Sequence, residues 1–151
     1  MQRVEVGGRN AHGESEGCAV YSDERGDFMT IDQAIKLADT LQPNPYPRDM
    51  KLRWLAMLDG RIYNEIWATH EGCPIKRFVG YDYADGTQPL LVPAPYDEDV
   101  YRHFLCSRMD LENGEAARYN RSVTLFNSGL EAYKKHYRSK HRPLSGGVFR
   151  L

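Results

Sequence analysis

Two His-x-x-Cys pairs are the residues best suited by type to do chemistry: His70 with Cys73, and His103 with Cys106. Imidazole and thiolate ligands together make a tetrahedral zinc shell, provided all four converge. Their surroundings favour plainer roles. Cys73 precedes Pro74 in a loop-like stretch. Cys106 neighbours Leu105 on an apolar helical stripe, where a free cysteine is usually a small core residue. His136 and His141 are five residues apart and do not share a helix face as the zincin spacing requires. Asp97, Glu98 and Asp99 offer carboxylates, but they follow Pro95 at the start of a helix, where the dipole attracts such groups and nothing suggests burial. The sequence has no P-loop, dinucleotide fingerprint or nucleophile elbow, and Gly146-Gly147 reads as a linker. No catalytic residue, metal site or cofactor is therefore expected.

Charge layout says more. Five acids, Asp82, Asp85, Asp97, Glu98 and Asp99, lie between Phe78 and Tyr101 without one Lys or Arg. Six bases, Lys134, Lys135, Arg138, Lys140, Arg142 and Arg150, lie between Lys134 and Leu151 without one acid. The basic end suits phosphates or an acidic protein surface, although bases are also favoured at a helix C-terminus. An acidic band and a basic tail on one chain suit head-to-tail contacts between copies, so the five acids are candidate subunit contacts. The tail ends in Val148, Phe149 and Leu151 beyond the Gly-Gly hinge, a form that suits docking on a partner, for example by strand addition.

The elements that must carry these groups are mostly helical. Tyr119, Val123, Phe126, Leu130, Tyr133 and Tyr137 recur every three or four residues, one face of a helix held for more than five turns. Val100, Tyr101, Phe104, Leu105 and Leu111 predict the buried stripe of the helix before it. Asn113-Gly114 supplies a cap and a reversal, so the two helices form an αα-hairpin. Upstream, Thr30 and Gln33 form a capping box for a short helix to about Leu41, stopped by Pro43, Pro45 and Pro47. A second helix is predicted from Arg48 to about Thr69 on Leu55, Leu58, Ile62 and Ile66. Gly60 inside it marks a close helix crossing or is simply tolerated, the second being favoured. Lys76–Tyr83 and Leu90–Val92 flank Ala84-Asp85-Gly86-Thr87 and predict a β-hairpin, which needs the helices or a neighbouring subunit to lean on. The expected fold class is mainly α: a bundle of about four helices with an inserted β-hairpin.

The chain has 151 residues and a formal net charge of −1, which suits one domain and argues against a general polyanion binder. Residues 1–28 show neither helical nor strand period and carry a charge of −3, as expected of a flexible arm. Met29 is a candidate original start, with the arm as an upstream extension. The helical domain is expected over 29–142 and an extended tail over 143–151. Three cysteines make no disulfide framework, and no apolar run reaches membrane-spanning length. A cytoplasmic chain, or one that leaves the cell within a larger particle, is expected, with no membrane partner.

From Met29 onward the chain resembles the helical head–tail connector (adaptor) proteins of tailed bacteriophages and prophages. The matching stretches are Met29-Thr30-Ile31 with its helix, RWLAMLDGRIYNEIWATHEG (53–72), LLVPAPYDEDVYRHFL (90–105) and the NGE-x-x-RYN-x-S-x-x-x-FN run (113–127). The resemblance extends over about four-fifths of the chain as a spread pattern and leaves out residues 1–28 and the cysteines. The resemblance implies a virion protein at the head–tail junction, made in the host cytoplasm. It implies a dodecameric ring on the portal protein that extends the DNA channel, touches double-stranded DNA non-specifically and receives a stopper or tail-completion protein. The segment 140–151 would reach toward the portal. The basic patch Lys134, Lys135, Arg138, Lys140 and Arg142, with the tail residues Val148, Phe149 and Leu151, is then the candidate partner surface. The other reading is a helical nucleic-acid-binding module using Lys134 to Arg142.

Overall fold

The computed structural model describes residues 28–144. Four helices account for most of them: α1 (Ile31–Leu41), α2 (Arg48–Ile62), α3 (His103–Asn113) and α4 (Ala116–Lys140). One wide π turn, Tyr63–Trp67, prolongs α2, and another, Glu98–Arg102, leads into α3. Strands β1 (Phe28–Thr30) and β2 (Pro89–Pro93) pair antiparallel, Phe28 opposite Pro93 and Thr30 opposite Pro89. The architecture is a small helical bundle whose last two helices form an αα-hairpin, with a two-stranded antiparallel element at one side.

Local chemistry explains the helix boundaries. The Thr30 hydroxyl accepts from the Gln33 amide at 3.1 Å, and the Gln33 side chain accepts from the Thr30 amide at 2.9 Å. This capping box satisfies two amides that the helix leaves open, and Ile31, Ala34, Ile35 and Ala38 turn into the core. Gly114 closes α3 in the left-handed region at φ 74°, where a side chain would be strained. On α4 the stripe is buried at Phe126, Leu130, Tyr133 and Tyr137 and half-buried at Tyr119 and Val123. Gly60 is indeed tolerated: an added Cβ would meet only the Phe78 ring, at an ordinary 3.7 Å.

Two expectations need correction. Leu111 is 47% exposed, and the stripe of α3 turns inward through Leu105, Cys106 and Met109 instead. The segment Lys76–Tyr83 forms no strand, and β2 pairs instead with β1, just ahead of α1. That segment is held by side chains rather than by a ladder. The Tyr63 hydroxyl donates to the carbonyls of Ile75 (3.3 Å) and Lys76, and the Phe78 ring packs edge-on against Tyr81. The turn at Asp85-Gly86 is present, stapled by the Gln88 amide to the carbonyls of Asp82 (2.8 Å) and Asp85 (2.6 Å). It docks on α1, where the Asp32 amide donates to the Gly86 carbonyl at 3.0 Å. A Cβ on Gly86 would stand 2.0 Å from an Asp32 carboxylate oxygen, so a larger residue would displace that side chain and its ion pair with Arg48.

Among the described residues one carboxylate has no exposure at all, Asp59 of α2. Tyr101 donates its hydroxyl to Oδ1 at 2.6 Å, and Tyr81 donates to Oδ2, which also accepts from the Leu91 amide at 3.1 Å. The Tyr101 oxygen accepts in turn from the Val92 amide at 2.9 Å. Four parts of the chain thus meet on one side chain. Tyr101→Phe strands the Val92 amide in the core and should cost about 1–3 kcal/mol in urea unfolding.

Burial raises the Asp59 carboxyl from its ordinary 3.8 to about 6, against the pull of its hydrogen bonds from Tyr101, Tyr81 and Leu91. Between about pH 4 and pH 6 the folded chain keeps a proton that the unfolded chain has released. Stability from this group is therefore full at about pH 4 and lost as pH rises through about 6. Asp59→Asn should abolish that component, read as the difference between wild-type and variant unfolding free energies across this range.

Candidate functional site

The basic end is built on the last two turns of α4 and the residues after it. Lys134 is half-buried and pairs with Glu131 at 3.4 Å. Lys135, Arg138, Lys140 and Arg142 are exposed and make no ion pair among the described residues. Lys135 lies two residues from both Tyr133 and Tyr137, roughly 200° around the helix from the buried stripe, so it faces away from the core.

What fixes the end of α4 is aromatic. Trp67 and Tyr137 stack with centroids 6.2 Å apart, and Tyr137 stacks on His141 at 3.9 Å. The Trp67 indole donates to the Tyr133 hydroxyl at 2.7 Å. Burial pushes the Tyr137 phenol up to about 12, so it stays neutral across the physiological range. The chain then runs back along the end of α2. Glu71 donates its amide to the Arg142 carbonyl at 2.8 Å, Leu144 donates to Thr69 at 2.9 Å, and His70 faces Pro143 in an antiparallel bridge. The backbone as far as Leu144 is therefore pinned against the segment that follows α2. Val148, Phe149 and Leu151 lie outside the described residues, as do residues 1–27 with Cys18.

The five acids separate into two groups with local uses. Asp82 accepts from the Ala84 amide at 3.0 Å, and Asp85 accepts from the amide (3.0 Å) and hydroxyl (2.6 Å) of Thr87. The Thr87 hydrogen bonds hold the Asp85 carboxyl below its usual range, so it is firmly charged. Asp97 is buried, contrary to the expectation of an exposed acid, and caps the helix start by accepting from the Glu98 amide at 2.7 Å. Glu98 and Asp99 are exposed in that first turn, with Asp99 4.0 Å from His103.

The two His-x-x-Cys pairs do not come together. His70 contacts the Ile66 carbonyl at 2.8 Å, and the Cys73 thiol donates to the Ile75 carbonyl at 3.0 Å. Cys106 is a buried free thiol on α3, raised by that burial. Among the described residues no three His, Cys, Asp or Glu side chains cluster as a metal site would need. Nor is any helix among them long and apolar enough to cross a membrane.

A feature that sequence reading passed over is a cleft of about 290 Å³ between the C-terminal end of α1 and the α3–α4 hairpin. Its floor is Asp110, 1% exposed, which accepts from Gln42 at 2.9 Å and Ser122 at 3.3 Å and lies 3.7 Å from the Arg118 guanidinium. Arg102, Arg118 and Arg121 line it, and the exposed side chains of Leu41 and Leu125 stand at its walls. Arg102 and Arg121 make no ion pair among the described residues. His103, also lining it, is lowered by burial and by Arg102, so it adds little charge at neutral pH. The signal was present in the spacing. Arg102, Cys106 and Asp110 follow at four-residue steps on one helix, and Arg118, Ser122 and Leu125 share a face of the next. Comparison with protein-family models, curated proteins and solved structures finds no match to this chain.

Proposed function

We propose that this chain is a structural assembly protein of the head–tail connector kind. Copies sit side by side in a ring on a portal protein and extend the DNA channel, and the far side receives a stopper or tail-completion protein. The observation that carries this reading is the exit of the chain from the domain. Lys135, Arg138, Lys140 and Arg142, exposed and without an ion pair among the described residues, sit on and just after the end of α4. They lie next to a backbone at Arg142–Leu144 that is pinned to Thr69–Glu71, which suits a C-terminal segment that docks on a partner. The mainly helical frame, with its αα-hairpin as a stiff strut, suits the same role. On this reading the protein resides in the virion.

The unpaired bases also support a second reading, a helical module that binds nucleic acid through Lys134 to Arg142. The two separate experimentally. Mixed with purified portal, the chain should form a stoichiometric complex visible by light scattering and electron microscopy, and removal of residues 145–151 should weaken it. A chain that ignores the portal but binds duplex DNA, with affinity falling steeply with salt, would overturn the connector reading. In that case Lys135→Gln, Arg138→Gln and Arg142→Gln should each reduce the salt slope by about 0.9.

A further inference from the structure

The arginine-lined cleft and the acidic 79–85 loop stand at opposite ends of α1. Leu41 and Gln42, at its C-terminal end, line the cleft, while Asp32, in its first turn, holds the loop through Gly86. Eleven residues at 1.5 Å each separate the two by roughly 16 Å, so a copy's loop cannot fill its own cleft. The loop presents Val79, 77% exposed, and Tyr83, 40% exposed, beside the carboxylates of Asp82 and Asp85. Neither carboxylate has an ion-pair partner among the described residues. Arg48 reaches the Asp32 carboxylate at 3.2 Å and the Tyr83 carbonyl at 2.7 Å, which rigidifies the loop and leaves Asp82 and Asp85 their charge. The cleft offers the complement: three guanidiniums against one buried carboxylate, with Leu41 and Leu125 as apolar walls.

We infer that the cleft receives the 79–85 loop of a second copy, with Arg102 and Arg121 meeting Asp82 and Asp85, and Leu41 and Leu125 meeting Val79 and Tyr83. The contact deepens the assembly reading and rests on it. It is heterologous, since one face of each copy meets a different face of the next, and such contacts propagate into a ring when the rotation closes. The loop is already stapled by Gln88, so little ordering is lost on docking. The basic end of α4 is left free for another partner.

Sedimentation velocity on the full chain, from micromolar to about 1 mM, tests this at low salt and at about 0.5 M salt. The wild type should self-associate, and more weakly at the higher salt. Arg102→Glu with Arg121→Glu should lower the association constant at least tenfold or so, and Asp82→Asn with Asp85→Asn should do the same while keeping the turn's acceptors. The two double variants, each unable to self-associate, should form a 1:1 complex when mixed, because one keeps its loop and the other its cleft. A wild type monomeric at about 1 mM would overturn the contact, as would variants that associate normally or a mixture that stays monomeric. Inorganic phosphate that binds the cleft tightly without competing with association would mark an anion site instead. Capture by the portal together with association indifferent to the four charges refutes this contact and leaves the connector reading intact. Failure of portal capture strikes that reading itself.

Discussion

A single buried carboxylate holds the bundle to its non-helical parts. Asp59 has no exposure, and an ion in that position is tolerable only because three donors converge on it. Those donors come from the loop at Tyr81, from β2 at Leu91 and from the turn before α3 at Tyr101. Leu91 and Val92 lie on a two-stranded element too small to be stable by itself. It is tied to α2 by the Leu91 amide on Asp59 and, through Tyr101, by the Val92 amide, beside the burial of Leu90, Leu91 and Val92. Apolar packing supplies most of the stability, at roughly 1.5–3 kcal/mol for each buried large side chain, but it is not directional. The carboxylate is what fixes the register of loop, strand and helix against one another.

Much of this frame was legible because helices announce themselves within a few residues. The capping box at Thr30 and Gln33, the glycine at 114 and the Tyr119–Tyr137 stripe are local signals, and each has its expected place. The strand pairing was not legible. Asp85-Gly86 correctly marks a turn, but the partner of β2 is Phe28–Thr30, some sixty residues upstream, and no local pattern records that. Lys76–Tyr83 has strand-like residues whose rings and hydroxyls serve as anchors: Tyr81 on Asp59, Phe78 over Gly60. Asp59 itself was hidden by its charge, although it lies on the same helical face as Leu55 and Ile62.

The charge pattern was visible, but its meaning needed the three-dimensional arrangement. Of the five mid-chain acids, Asp97 is taken up as a buried cap, and Asp82 and Asp85 fold their own turn. The Thr87 hydrogen bonds that hold the turn also keep the Asp85 carboxyl charged. The two turn acids therefore stabilise the loop and still mark it with a negative face. The six bases at the C-terminal end differ, since among the described ones only Lys134 has an intramolecular ion pair. The cleft was missed because its guanidiniums come from two antiparallel helices and read, one helix at a time, as ordinary solvated arginines. Asp110 is what gathers them: buried at the cleft floor, it draws Gln42, Ser122 and Arg118 around it, and Arg121, one turn from Arg118, makes no ion pair among the described residues.

This arrangement gives α1 a role that its length would not suggest. Its N-terminal end is fixed to the acidic loop by the Asp32–Gly86 contact, and its C-terminal end to the cleft through Gln42 and Asp110. The buried face of Ile31, Ala34, Ile35 and Ala38 seats it on the core and prevents rotation. The angle between the two patches is then a property of one short, well-seated helix rather than of flexible loops. In the proposed assembly that angle sets the rotation from each copy to the next, and so decides whether the chain of contacts closes. The pinned stretch Arg142–Leu144 hydrogen-bonds to Thr69 and Glu71, residues that belong to neither the acidic loop nor the lining of the cleft. Lateral association and partner docking can therefore proceed on separate surfaces, each without distorting the other.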